Sequence, residues 1–522
     1  MSRSKSLASR VPELRVRVAR EAEVAEGDWV VYWMIAARRP GWNFGLERAA
    51  EWSRALGKPL VVLEPLRVAY PWASARLHRF VLDGMAEHAR VFAERGVLYR
   101  PYVEPAPGAG RGLLEAMASR AALVVTDEFP CFFLPRMVAA AAEKLAVRLE
   151  VVDSNGLVPL RATPGPFSTA FAFRRWLQAH LGACLRAVPS EDPLRDAVDP
   201  GCAKGTLARL LDARWPVPPP ELLAGDPRAL AELPVDARVA PVETRGGASE
   251  AGRALERFVA TRLEGYAERR NHPDREGTSG LSPYLHFGHL SAHQAFAAVA
   301  AASGASAGPP RRTDGRKGWF GADEAGEEFL DQLVTWRELG YVFAWHRPDH
   351  DRYESLPEWA RQTMEAHARP QGPHLGLEEM ERAESADPVW NAAQTQLLRT
   401  GTMHNYLRML WGKKILEWSP SPREALARLI HLNNKYALDG RDPNSYSGIA
   451  WCLGRFDRPW GPKRPVFGTV RYMSSDSTRR KLDLGGYLAR FGPETARQEE
   501  LFGAPPSGSP PRRSRQRLRG KG

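Results

Sequence analysis

The run Trp29–Ile35 (WVVYWMI) decides the fold. It is uncharged, lacks polar alternation, and is too short for a buried helix, so it reads as a strand covered on both faces. Outward from it the same theme repeats. Leu46–Leu56 has helical periodicity and stops at Gly57, a natural C-cap. Pro59–Glu64 (PLVVLE) is the next strand, followed by a helix over Ala75–Arg95, a strand over Leu98–Val103 and a helix over Leu113–Arg120. Ala121–Asp127 (AALVVTD) and Val147–Val152 (VRLEVV) complete the alternation. Strand–helix–strand repetition predicts a Rossmann-like α/β domain, a parallel sheet with helices on both faces, over residues 23–155. No GxGxxG or Walker pattern marks a phosphate loop in it.

The flanks differ in character. Arg3 to Arg20 is rich in arginine, and residues 1–22 read as a basic extension. Residues 156–249 are rich in proline and alanine, as in the Pro216–Pro220 stretch (PVPPP), and read as an interdomain connector. From 250 to 495 nearly every segment is helical in period, predicting an all-α second domain. Ser303–Glu324 interrupts it with glycine, proline and basic residues and reads as a mobile loop, and 496–522 as a disordered basic tail.

The 522 residues are 43% hydrophobic, enough for more than one core. Lys and Arg number 73 against 61 Asp and Glu, a net +12, which favours a polyanionic partner such as nucleic acid. Four cysteines stand singly, without metal-ligand spacing, which argues against a zinc site or a disulfide framework and suits a reducing cytoplasm. No stretch approaches a membrane span.

Four segments of the helical half carry chemistry. In Gly277–Gly288 (GTSGLSPYLHFG), Thr278, Ser279 and Ser282 cluster at a helix start, with Ser282 as N-cap ahead of Pro283; this is an anion site or an ordinary capped helix. Phe329–His346 carries an apolar stripe that includes Trp336, either core or an aromatic face on a cleft. In Trp390–Trp418, Trp411 and Trp418 lie two turns apart on one face, as a packing seam or as stations for electron hopping, and Arg408 needs a carboxylate partner. Asn433–Trp451 (NNKYALDGRDPNSYSGIAW) is dense in amides and acids, and Asp439 with Arg408 would bind the polar edge of a heteroaromatic ring.

In this order the segments resemble the photolyase/cryptochrome family, and its class II cyclobutane pyrimidine dimer branch most closely. The resemblance rests on TSGLSPYLHFG, WNAAQ, GTMHNYLRMLWGKKILEW, LDGRDPNSYSGIAW and RPVFGTVRYM (Arg464–Met473), with Trp42-Asn43-Phe44 in the α/β half. It implies an antenna domain joined to a helical domain that holds FAD, active as FADH−. It also implies light-dependent repair of flipped-out dimers in duplex or single-stranded DNA. By the resemblance, Tyr266, Thr278, Ser279, Leu281 and Ser282 hold the FAD phosphates and sugar, and Arg408 and Asp439 pair beside its ring. Asn433, or alternatively Asn444, sits near flavin N5. Trp336 and Trp451 are the aromatic walls of the dimer site, with Arg270 and Met409. Trp411, Trp390 and Trp418 carry photoreduction, and a deazaflavin is the expected antenna pigment. A monomer in the cytoplasm, reaching the nucleoid through DNA, completes the expectation, with phosphate contacts from Arg270, Arg441, Arg458, Lys463 and Arg464.

The chain departs from the family at Gln332, where the dimer-binding carboxylate is expected. Asp331 is adjacent but about 100° away around a helix. Gln332 and the basic tail favour a cryptochrome-like photoreceptor without repair; Trp336, Trp451 and Met409 favour repair. A (6-4) photoproduct enzyme is a third reading.

Overall fold

The computed structural model describes residues 9–305, 310–369 and 374–493. The tail from 496 and the first eight residues of the basic extension lie outside them.

Six strands form one sheet: β1 (Val16–Arg20), β2 (Trp29–Trp33), β3 (Leu60–Leu66), β4 (Leu98–Val103), β5 (Ala121–Asp127) and β6 (Leu149–Val152). Their order is β1-β6-β5-β2-β3-β4. All neighbours are parallel except β1, which runs antiparallel to β6. Four helices cover the sheet: α1 (Phe44–Leu56), α2 (Ala75–Glu94), α3 (Leu113–Ala118) and α4 (Leu134–Lys144). α1 ends at Gly57 in the left-handed conformation, φ 62°, which only glycine adopts freely. The expected parallel α/β unit is therefore present, with one strand more than its apolar runs indicate. β1 lies in the arginine-rich stretch read as an extension: it is an edge strand on which Arg17 is partly exposed and pairs with Glu128 at 3.1 Å.

In such sheets ligands enter at the switch point, here between β2 and β5. This chain closes it with its own carboxylate. Asp127 Oδ2 accepts the backbone N–H groups of Ile35, Ala36 and Ala37 at 2.9, 2.8 and 3.0 Å, and Tyr32 donates its hydroxyl to Oδ1 at 2.6 Å. A second buried acid is equally enclosed. Glu64 accepts from Arg38 at 2.8 Å, His88 at 2.7 Å and Tyr99 at 2.6 Å.

The connector is not loose. Phe173, Leu177 and Leu181 of the Ala170–Cys184 helix enter the core of the helical half, whereas Leu207 and Leu211 of Ala203–Leu211 pack under the sheet. The predicted mobile loop is likewise anchored: Trp319 and Phe320 are buried, their rings 4.1 Å apart, although residues 306–309 lie outside the described part. Glu338 ties the halves together by accepting the Leu157 N–H at 2.8 Å. Burial raises its pKa to about 7. Among the described residues no helix is long and apolar enough to cross a membrane.

Candidate functional site

The helical half encloses a cavity of about 820 Å³, within the range of ligand pockets. One wall comes from a rod that changes period. An α-helix over Glu324–Leu330 passes into a π-helical stretch, Asp331–Trp336, and returns to α over Arg337–His346. Sequence periodicity gives no sign of this wider turn, which is frequent at functional sites. It turns Gln332 and Trp336 to the cavity, while Asp331 points into the core and is held by Arg174 through two bonds at 2.8 and 3.1 Å.

The opposite wall is the Pro443–Cys452 helix, opened by Asp442, whose carboxylate accepts the Asn444 N–H at 2.8 Å. The two helices cross closely because residue 340 is glycine: a Cβ there would lie 2.8 Å from the Asn444 Cα. This crossing brings Trp336 and Trp451 together, stacked with centroids 4.7 Å apart at 14°. They are a single slab rather than two walls with a gap, since no base fits between rings at that spacing. Such a pair contributes roughly 0.5–1.5 kcal/mol beyond its area burial.

The Asn405–Trp418 and Pro422–Tyr436 helices form the floor. Arg408 meets Asp439 at 3.0 Å, and Ser282 donates its hydroxyl to the same carboxylate at 2.7 Å. Burial alone would raise the Asp439 pKa, but the Arg408 charge and these hydrogen bonds outweigh it and lower the value. Ser282 is thus the first residue of a five-residue helix rather than its N-cap, its hydroxyl being spent on Asp439. Asn433 lines the cavity and donates to Ser445 Oγ at 2.7 Å; Asn444 and Met409 also line it.

Arg270 reaches the rim, paired with Glu328. Tyr266, Thr278, Ser279 and Leu281 are not in the lining. Tyr266 packs edge-on against Phe258 and Phe329, and Leu281 is core. Arg441 is also misplaced as a surface phosphate ligand: it is buried, donating to the Asn434 carbonyl at 2.7 Å. Arg458 and Lys463 are exposed, and Arg464 joins the lining.

Arg337, next to Trp336, is not singled out by the sequence. Its buried guanidinium lies 4.2 Å over the Tyr341 ring, with Nη1 3.7 Å from Glu338 Oε1, and the residue lines the cavity. Lys317, Arg471 and Lys481 add further positive charge. Density of basic residues along the chain was the sole signal for them.

The remaining tryptophans run from the cavity toward the surface. Trp411 lines the cavity and donates its indole N–H to Gln394 Oε1 at 2.9 Å. Trp390 is fully buried and donates to the Trp411 carbonyl at 3.1 Å; its ring meets that of half-buried Trp418 at 5.3 Å and 76°.

No protein-family model matches the chain. A deoxyribodipyrimidine photo-lyase of Methanothermobacter thermautotrophicus is 34% identical over 469 residues, covering 89% of this chain and 95% of that protein. One from Arabidopsis thaliana is 32% identical over 469 residues, covering 88% of each. Among solved structures, a bacterial class III photolyase from Agrobacterium tumefaciens superposes with TM-score 0.63 at 19% identity, over 92% of this chain and 90% of that one. A Synechocystis cryptochrome does so with TM-score 0.64 at 13% identity, over 91% of this chain and 89% of that one. The two structures speak for the fold; the near full-length sequence relatives speak for descent, and by them the chain belongs to the deoxyribodipyrimidine photo-lyase family.

Proposed function

We propose that the chain repairs cyclobutane pyrimidine dimers in DNA by light, as a class II enzyme, with FAD and the flipped-out lesion sharing the helical cavity. The observation that carries this reading is the meeting, in one cavity, of the Arg408–Asp439 pair, the Trp336–Trp451 slab and Trp411. The residues present fit FAD. Arg408 donates and Asp439 accepts, as the imide edge of an isoalloxazine requires, and Arg337 brings a buried guanidinium to the same cavity. When bound and reduced, FAD supplies the photoexcited electron that opens the cyclobutane ring.

The chain supplies placement. Asn433, or Asn444, faces flavin N5. The Trp336–Trp451 slab receives the extruded dimer on its outer face, and stacking offsets extrusion by roughly 1–3 kcal/mol per base. Arg270 and Met409 border it. Exposed Arg458, Lys463 and Arg464 neutralise phosphates without reading sequence, on duplex or single strands. The protein acts as a cytoplasmic monomer, with a deazaflavin-type antenna in the α/β half.

The test is to photoreduce the purified protein and illuminate it with an oligonucleotide carrying one thymine dimer, following recovery of thymine absorbance. A dark control and Trp451→Ala accompany it. Light-dependent recovery that vanishes in the variant is expected; a flavin-loaded protein that never splits the dimer overturns the reading. A cryptochrome-like photoreceptor is the second reading, favoured by Gln332, an amide lining the cavity where the family's dimer-binding carboxylate is expected.

A further inference from the structure

Gln394 sits at the centre of the tryptophan series and is completely buried. Its Oε1 accepts the Trp411 indole N–H at 2.9 Å, while its Nε2 has no partner at all. An indole nitrogen only donates, so the amide has no choice of orientation: the oxygen faces Trp411 and the NH2 is stranded. A stranded buried donor costs on the order of 1–3 kcal/mol, which a methionine or leucine of similar volume would avoid. What the glutamine provides, and those residues cannot, is a neutral acceptor for Trp411.

Neutrality matters if Trp411 is oxidised. An indole that has lost an electron becomes a strong N–H acid, and a basic acceptor would take its proton and trap the hole as a neutral radical. Gln394 Oε1 is an amide oxygen, too weak a base for that. The next indole is treated alike: Trp390 donates to a main-chain carbonyl at 3.1 Å. Trp418, half-buried, is the first of the three to approach solvent.

We propose that Gln394 is a positioning residue that keeps the hole on Trp411 protonated and mobile. This rests on the reading of the cavity as a flavin site. One electron leaves the Trp411 indole for the photoexcited oxidised flavin of that reading, which is reduced by it. Trp390 refills Trp411 and Trp418 refills Trp390, all N–H bonds intact until the Trp418 N–H breaks and its proton passes to water.

The experiment is flash transient absorption of the flavin-loaded full chain in a Trp390→Phe background, which confines the hole to Trp411. With Gln394 present, only the tryptophan cation radical is expected, decaying back in one phase. With Gln394→Glu added, the neutral-radical band should grow in as pH rises and the carboxyl ionises. With Gln394→Met, which removes the acceptor without adding a base, the radical should stay cationic but form in lower yield and live for less time, because the indole N–H has lost the acceptor that stabilises its charge. A yield and lifetime equal to the parent's would overturn the role. A neutral radical on Trp411 with Gln394 in place would overturn the proposal while leaving the flavin site intact. A purified chain that takes up no flavin would refute the flavin reading, whereas a flavin-loaded chain that gives no tryptophan radical, even with Trp390 restored, would overturn this role alone.

Discussion

The two halves of the molecule place their buried carboxylates differently. In the α/β half the acids are enclosed by donors of their own domain: Asp127 satisfies three backbone N–H groups at the switch point, and Glu64 collects Arg38, His88 and Tyr99. In the helical half, Asp439, held by Arg408 and Ser282, and Asp442, held by Tyr341 and His286, line the cavity. Unpartnered buried nitrogens occur in both halves, among them His88 Nε2 beside Glu64 and Gln394 Nε2 beside Trp411, so the difference lies in what the acids face. An acid enclosed on all sides reads as scaffold, and one that faces a cavity reads as part of a site.

The sharpest way to break that contrast is Glu64→Ala. Removing one member of a finished buried cluster leaves His88 and Arg38 unpaired, and chemical denaturation should show about 3–5 kcal/mol lost. The flavin content of the protein that still folds should not change; a fall in flavin with stability intact would reverse the roles assigned to the two halves.

Trp451→Ala tests the open half. Global stability should drop modestly, but binding of a dimer-containing oligonucleotide in the dark should weaken by roughly 1–3 kcal/mol, the cost of one stacking platform. Equal weakening for undamaged DNA would show that the slab does not touch the lesion.

Acid sharpens the comparison. Burial alone would raise the Glu64 pKa, but His88, Arg38 and Tyr99 hold it at about 2, below the ordinary value of about 4.3. Its contribution is therefore complete above the unfolded value and lost as pH falls through about 2. Burial lowers His78 to about 4 from about 6.5, so its contribution too is full above the unfolded value and fades as pH falls toward the folded one. Glu338 is the reverse: raised to about 7, it favours folding at low pH and stops doing so as pH rises through that value. Thermal melts should show acid loss from the sheet side, and Glu338→Gln should flatten the decline between about pH 4.3 and about pH 7. A wild-type slope in that window unchanged in the variant would remove Glu338 from the account.

The smallest effect is expected at Gln332. Gln332→Glu should change repair yield at neutral pH by less than about threefold, a difference of under about 1 kcal/mol by the thermal-energy scale. It should, however, introduce an acid-side pH dependence that the parent lacks. A parent yield that already titrates like a carboxylic acid would mean another acid serves the lesion.

The α/β order was legible because each strand is a short apolar run between helix signals. β1 was not, because an edge strand needs only one buried face and its charges resemble those of a tail. Trp336, Trp451, Arg408 and Asp439 were legible as residues, and the Arg408–Asp439 pair even as a pair, because a charge on an apolar helix demands its opposite. The stacking of Trp336 on Trp451 was not, since it depends on Gly340 meeting Asn444, a helix crossing between segments far apart in sequence. Trp319 and Phe320 were hidden by the glycines around them. Ser282 was misread because a serine before proline has two uses, and the one realised required knowing where Asp439 lies.

The widened turn over Asp331–Trp336 has a consequence for insertions and deletions. A π turn carries one residue more than an α turn, so the rod stores a spare residue within itself. Deleting a single residue between Leu333 and Thr335 lets the segment relax to an ordinary α-helix while both flanks of the rod keep their orientation, because the residue removed is the one the wider turn accommodates. Only the side chains within the turn are then re-aimed. One codon therefore separates this arrangement from one with a different side chain facing the cavity, and its loss changes the wall without touching the fold.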